Sequence, residues 1–225
     1  MVLGLFRTEQ VIDPLGLNFV QQCRPGKGMR TAKGKMTGQE ALQVLLTGNE
    51  RFVQGKLEHP NLCEESRKEL VNGQEPVAVV LACADSRVPP EGVFDQGLGD
   101  LFILRVAGNV INDHILGSIE YAVAYLHTPL IMVLGHSSCG AVNAVAQGIK
   151  LEGHIASLTP SIDAALKRSK GQEGYWPDNA AMELARETAR KIAESEPIIA
   201  DLVHAGKVLV VAAYYNLTTG EVTVL

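Results

Sequence analysis

Three short apolar runs constrain this chain more than any other feature: VAVVLAC at 77–83, LFILRVA at 101–107 and PLIMVLG at 129–135. Each is too short for a globular helix, and each is rich in β-branched residues. None alternates polar with apolar, so none has a wet face. Strands of that kind are buried on both sides, inside a parallel sheet covered by helices. The segments between them must then be crossovers, because parallel neighbours cannot be joined by a tight hairpin.

The rest of the pattern agrees. Leu42, Val44, Leu45, Leu46, Phe52 and Val53 recur at helical spacing and predict a helix over 39–54. A second covers 61–72 and stops at Asn72-Gly73. Helical periodicity returns at 113–127, with Asp113 where a carboxylate suits the helix dipole, and at 139–149, 154–169 and 179–195. KVLVVAAYYN at 207–216 reads as a fourth strand, Thr218-Thr219-Gly220 as a turn, and 221–225 as a short antiparallel fifth strand. The expected fold class is α/β: a mostly parallel central β-sheet with an antiparallel edge strand, flanked by helices, behind an N-terminal helical arm.

The arm is residues 1–36, where Arg7, Arg24, Lys27, Arg30, Lys33 and Lys35 face only Glu9 and Asp13. Residues 37–225 form the expected domain, and 225 residues are enough to bury a core without staples. A net charge of −5 gives no reason to expect nucleic acid. No run approaches the roughly 20 apolar residues that cross a bilayer. Arg7 follows the first apolar stretch, where a secretory signal would put its charge before it. The chain is therefore expected to be cytoplasmic, with no membrane partner.

Four cysteines do not make a disulfide scaffold. Cys83 and Cys139 stand just past apolar runs, whereas Cys23 and Cys63 sit in polar surroundings. Ligands bind parallel sheets at the carboxyl ends of the strands, and two such ends are unusual here. The first run leads into Cys83-Ala84-Asp85-Ser86-Arg87, the third into Gly135-His136-Ser137-Ser138-Cys139-Gly140. Thiolate and imidazole suit zinc. His-x-x-Cys brings two ligands onto one turn, and Cys83 supplies a third from another strand. Three protein ligands leave the fourth tetrahedral position open, the arrangement of a catalytic zinc. The competing reading is plain: a cysteine ending a buried strand also serves as a small apolar residue, and Cys23 or Cys63 could close the site as a structural one. Asp85 and Arg87 add chemistry, since an Arg can hold a carboxylate by two hydrogen bonds. Asp85 is then either a zinc ligand or an acceptor beside the metal.

CADSRV at 83–88 together with GHSSCGA at 135–141 resembles the β-class carbonic anhydrases, and the resemblance extends over about 38–225. It implies zinc on Cys83, His136 and Cys139, one ion per subunit, and reversible hydration of carbon dioxide by attack of zinc-bound hydroxide. It implies an Asp85–Arg87 dyad that aims the nucleophile, with Asp85 as a possible fourth ligand in a closed state. In the plant-type subgroup a Gln, an aromatic and a Tyr line the substrate pocket; these fall on Gln74, Phe102 and Tyr121. Periodicity alone makes Phe102 and Tyr121 core residues. The bicarbonate-inhibited subgroup has a Trp where this chain has Val80, so the resemblance is to the other subgroup. It also implies a homodimer or homotetramer with pockets at subunit interfaces. Two thiolates make bound water less acidic than three imidazoles would, so activity is expected to rise through mildly alkaline pH.

The alternatives are a carbon disulfide or carbonyl sulfide hydrolase on the same scaffold, a non-catalytic zinc-binding assembly subunit, and a serine hydrolase. The last rests on the elbow-like Gly135–Cys139 segment, which lacks the final Gly of that motif.

Overall fold

The unbroken apolar runs become the middle of one sheet. In the computed structural model, which describes residues 36–225, the strands are β1 (Ala78–Ala82), β2 (Leu101–Arg105), β3 (Leu130–His136), β4 (Leu209–Tyr215) and β5 (Val222–Val224). Their order is β2-β1-β3-β4-β5. β1 runs parallel to both β2 and β3, β3 runs parallel to β4, and β5 is antiparallel at the edge. Every residue of β1 and β3 is buried, which explains why neither shows alternation. β5 turns back because Asn216 Oδ1 accepts the amides of Thr218 and Thr219.

Eight helices are present among the described residues: α1 (Gly38–Val53), α2 (Glu64–Glu69), α3 (Pro90–Val93), α4 (Asp113–Tyr125), α5 (Gly140–Ala146), α6 (Thr159–Arg168), α7 (Trp176–Ala193) and α8 (Ile198–His204). Thr37 opens α1 with a capping box, its hydroxyl accepting the Glu40 amide while Glu40 accepts the Thr37 amide. Asn112 caps α4 by accepting the Ile115 amide at 3.0 Å.

Alternate residues of each central strand face opposite layers. Ala78, Val80, Ala82, Leu130, Met132 and Leu134 pack with Ala41 and Leu45 of α1 and with Val93 and Phe94 at α3. Val79, Leu81, Ile131 and Val133 face Ile119 and Val123 of α4, Ala185 and Ile192 of α7, and Ile199 of α8. The arrangement is three layers, helix–sheet–helix, with the sheet wet on neither central face.

The expected fold class holds for the described residues, with local differences. α3 and α8 are absent from the sequence reading, being too short to show a period. The expected 61–72 helix is α2 followed by a 3₁₀ turn, Leu70–Asn72. The expected 154–169 helix begins as a 3₁₀ segment, Gly153–Leu158. α7 starts at Trp176, ahead of the expected 179, because Pro177 is tolerated in a first helical turn. Apart from Met36, the arm lies outside the described residues.

Two features of the fold prepare a site. The connections from β1 and β2 lead to opposite sides of β1, so a crevice opens where the carboxyl ends of β1 and β3 diverge. Gly135, just before His136, lets α7 approach β3: a Cβ there would stand 3.0 Å from the Ala181 carbonyl oxygen. That closeness brings the first turn of α7 to the same crevice.

Candidate metal centre and active site

Cys83 follows β1, His136 ends β3, and Cys139 precedes α5, so three distant sequence positions meet at one sheet edge. One ligand atom from each lies within 4.8 Å of the others, and all three residues are buried. Ligands about 2.3 Å from a tetrahedral metal stand about 3.8 Å apart, so the cluster fits one ion with small adjustments. The histidine is set for it. His136 Nδ1 lies 2.9 Å from the Ser137 carbonyl, to which it donates. Its Nε2 is then a lone pair, buried and without a hydrogen-bond partner. A buried acceptor left bare is costly, and a metal would satisfy it. Cys63 stands at the start of α2 and does not join the cluster; Cys23 lies outside the described residues.

The surroundings favour a thiolate at Cys83. The Gly108 amide donates to Cys83 Sγ at 3.3 Å. A hydrogen bond from Cys139 is the largest cause that pulls the Cys83 thiol down, against burial and with help from the amides of Gly108 and Asp85. The same partnership pushes Cys139 up, and burial adds to that, while the amides of Ala141 and Val142 in the first turn of α5 oppose it. The two shifts have one origin, the hydrogen bond from Cys139 to Cys83. A divalent cation bound to both sulfurs would favour the thiolate at each.

Beside the cluster, Arg87 holds Asp85 as a fork. Its Nε donates to Oδ1 at 3.0 Å and its Nη2 to Oδ2 at 2.7 Å, while the Arg87 amide donates to Oδ1 at 3.0 Å. This pairing, more than anything else, holds the Asp85 carboxyl well below the usual carboxylate range, against the opposing effect of burial. Both carboxylate oxygens are turned to Arg87, and Asp85 is not part of the three-residue cluster. The expected dyad is thus formed.

Sequence reasoning missed three contributors. Arg105, at the carboxyl end of β2, donates from Nε to the Cys83 carbonyl at 3.0 Å and from Nη2 to the Asp85 carbonyl. A charged residue closing an apolar strand at the level of Cys83 was the available signal. Asp178, in the first turn of α7, accepts the Ser138 amide at 2.8 Å. The third is Ser138 itself, whose carbonyl accepts from Arg87 Nη2 at 3.2 Å. No local pattern points to either.

The expected pocket residues lie elsewhere in the chain. Phe102 is level with Val79 in the parallel register, four residues before Cys83, or about 13 Å back along the strand. Tyr121 stands 6.3 Å from Phe102, ring to ring, and is 48% exposed. Tyr125 stacks on Tyr121 at 5.6 Å. Gln74 is exposed in the segment entering β1, at the opposite end of that strand from Cys83. Within one chain Gln74, Phe102 and Tyr121 do not converge on the cluster. The periodicity reading of Phe102 and Tyr121 as core residues is half right: Phe102 packs against the core beneath α4, and Tyr121 faces out. The Ser137 hydroxyl accepts the Leu217 amide at 2.9 Å.

A family model described as carbonic anhydrase matches residues 78–222. The chain belongs to the carbonic anhydrase family. Among curated relatives, carbonic anhydrase 2 of Mycobacterium tuberculosis is 39% identical over 185 residues, covering 80% of this chain and 89% of its own. The carbonic anhydrase of Mycolicibacterium smegmatis is 42% identical over 191 residues, covering 81% and 90%. The solved β-carbonic anhydrase CcaA superposes with a TM-score of 0.64 at 26% identity, over 81% of this chain and 94% of that one. A tetrameric β-carbonic anhydrase of Sordaria macrospora, with a TM-score of 0.65 at 22% identity over 71% and 85%, shares the fold. This carbonic anhydrase is of the β class by fold. No helix among its described residues is long and apolar enough to cross a membrane.

Proposed function

We propose that this carbonic anhydrase holds one zinc ion per chain on Cys83 Sγ, His136 Nε2 and Cys139 Sγ, and converts carbon dioxide and water reversibly into bicarbonate and a proton. The observation that carries this reading is the buried cluster with its bare His136 Nε2, flanked by a carboxylate already committed to an arginine. Two cysteines and a histidine are a donor set suited to zinc, and they leave one coordination position for a small molecule. Zinc held there would make a coordinated water far more acidic than bulk water, though less so than three imidazoles would, and so would supply a nucleophile at mildly alkaline pH.

The remaining work falls to the chain. Asp85 is ionised and can only accept hydrogen bonds, so it orients any O–H beside the metal by taking its proton into a bond. Arg87 keeps that carboxylate from swinging. Arg105 fixes the backbone carbonyls of Cys83 and Asp85, so the ligand and the orienting group move together.

Gln74, Phe102 and Tyr121 act in this reading from a second copy of the chain. β2 is an edge strand, and Tyr121 and Tyr125 are exposed aromatics on the helix beside it. A homodimer, or a homotetramer built from it, would cover them and bring the Gln74 amide to the charge developing on the substrate oxygens. Val80 stands buried in β1 where the bicarbonate-inhibited subgroup has its Trp, which supports the plant-type assignment.

The deciding experiment is stopped-flow carbon dioxide hydration with zinc content measured on the same sample. Rapid hydration that vanishes with zinc removal and returns with zinc is expected. Stoichiometric zinc without hydration across neutral and alkaline pH would overturn the reading and favour the sulfur-containing substrates or an assembly role.

A further inference from the structure

We propose that Asp178 is a positioning residue for the Asp85–Arg87 pair, acting from α7 through the Ser138 backbone. The inference rests on the carbonic anhydrase reading for its rate measurements, and on the geometry of this chain for everything else. Asp178 Oδ1 accepts the Ser138 amide at 2.8 Å. The Ser138 carbonyl accepts from Arg87 Nη2 at 3.2 Å, and that same nitrogen donates to Asp85 Oδ2 at 2.7 Å. One nitrogen thus binds both the orienting carboxylate and a backbone oxygen held in place from another layer of the fold.

The backbone explains why such a restraint is needed. Ser138 has φ +53, in the left-handed region that a serine leaves readily when nothing holds it. It lies between His136 and Cys139, so a metal fixes the residues on either side without fixing the direction of its own carbonyl. The hydrogen bond from its amide to Asp178 restrains the peptide unit just before that carbonyl, and with it the left-handed turn that sets where the carbonyl points. Asp178 is itself supported: α7 packs against β3 at Gly135, and Tyr214, opposite Gly135 in the β3–β4 register, stands close enough to Asp178 to feel its charge. Burial, followed by the Asp178 charge, pushes the Tyr214 phenol above its ordinary range, so it keeps its proton. The chain of contacts runs Tyr214, Asp178, Ser138, Arg87, Asp85.

A side chain on the outside of this relay has no reason to touch substrate. Its effect should appear in the rate and in the order of Arg87, and not in metal content. The test is a double-mutant cycle on the zinc-loaded enzyme with Asp178→Ala, Arg87→Ala and the pair, together with Asp178→Asn, which keeps an acceptor at Oδ1. Asp178→Ala should retain full zinc and lower kcat roughly tenfold, equivalent to about 1.4 kcal/mol. KM should stay within about twofold, since substrate binding is not what the relay serves. Asp178→Asn should recover most of the rate. In the Arg87→Ala background, Asp178→Ala should cost less than about twofold, because the residue through which it acts is gone.

A second readout needs no turnover. The Arg87 Nε–H signal, identified by its loss in Arg87→Ala, should exchange with solvent faster in Asp178→Ala than in wild type, with zinc or without it. Tyr214→Phe, a milder change, should move both readouts in the same direction and covers the case in which Asp178→Ala does not fold. Equal rate losses in the presence and absence of Arg87, activity lost in proportion to zinc, or unchanged Arg87 exchange would each overturn the proposal. An enzyme without hydration activity would overturn the function instead, and the exchange measurement would still decide the relay.

Discussion

Gly135→Ala tests whether the distance between α7 and β3 is set by the absence of a side chain. The added Cβ would stand 3.0 Å from the Ala181 carbonyl oxygen and 3.3 Å from Ala185 Cβ. Neither neighbour can rotate away: one is helix backbone, the other a single methyl group. The helix must therefore back off by a few tenths of an ångström. Overpacking of this kind costs about 1–3 kcal/mol, and burying the new methyl returns roughly 0.8 kcal/mol. The net expected loss is about 0.2–2 kcal/mol, which in a domain of this size lowers Tm by up to roughly 8 °C. Scanning calorimetry of zinc-loaded protein, at fixed protein and zinc concentrations because bound metal raises Tm by mass action, would measure it. A Tm above that of wild type would refute the argument that α7 is seated against a bare strand.

Other outcomes follow from the site. Cys83→Ser, His136→Ala and Cys139→Ser should each lose zinc, read by metal analysis after dialysis, because each removes one of the three donors. Asp85→Asn should keep zinc and lose most turnover; a near wild-type rate would rule out the orienting role. The Asp85 carboxyl is depressed by Arg87, so its contribution to stability is present above the unfolded value of about 3.9 and is lost only as pH falls through the lower folded value. It is therefore a carboxylate throughout the range from about pH 5 to pH 9, and Arg87→Ala should lower the plateau of the pH–rate profile without moving its midpoint. Mixing inactive Gln74→Leu chains with inactive Cys83→Ser chains should restore activity, since one hybrid site would combine an intact cluster with an intact Gln74; no recovery after subunit exchange would show that Gln74 does not act across an interface.

Much of this was legible in the sequence because it is local. A strand buried on both faces has to be apolar at every position, so VAVVLAC and PLIMVLG announced a parallel sheet before any pairing was known. Cys83, Asp85 and Arg87 stand within five residues, and His136 and Cys139 within four. Rules of strand-end chemistry and ligand type therefore reached them, and the resemblance of the two motifs gave them roles. The fork that Arg87 makes on Asp85 is likewise a short-range contact.

What the tertiary structure decided depends on packing between distant segments. Asp178 reads in sequence as an ordinary acidic residue at a helix start; only the seat of α7 against Gly135 puts it on the Ser138 amide. Arg105 became a clamp because parallel register sets β2 beside β1 and ends both strands at the same crevice. Gln74, Phe102 and Tyr121 were named by resemblance, and their spacing said nothing about where they lie. The strand directions place Gln74 at the far end of β1 from the metal ligands, and place Phe102 with Tyr121 four residues back along the edge. Sequence determines which side chains can do chemistry, since that follows from residue type and local backbone. Which of them meet follows from the sheet order and register, a property of the whole chain folded at once.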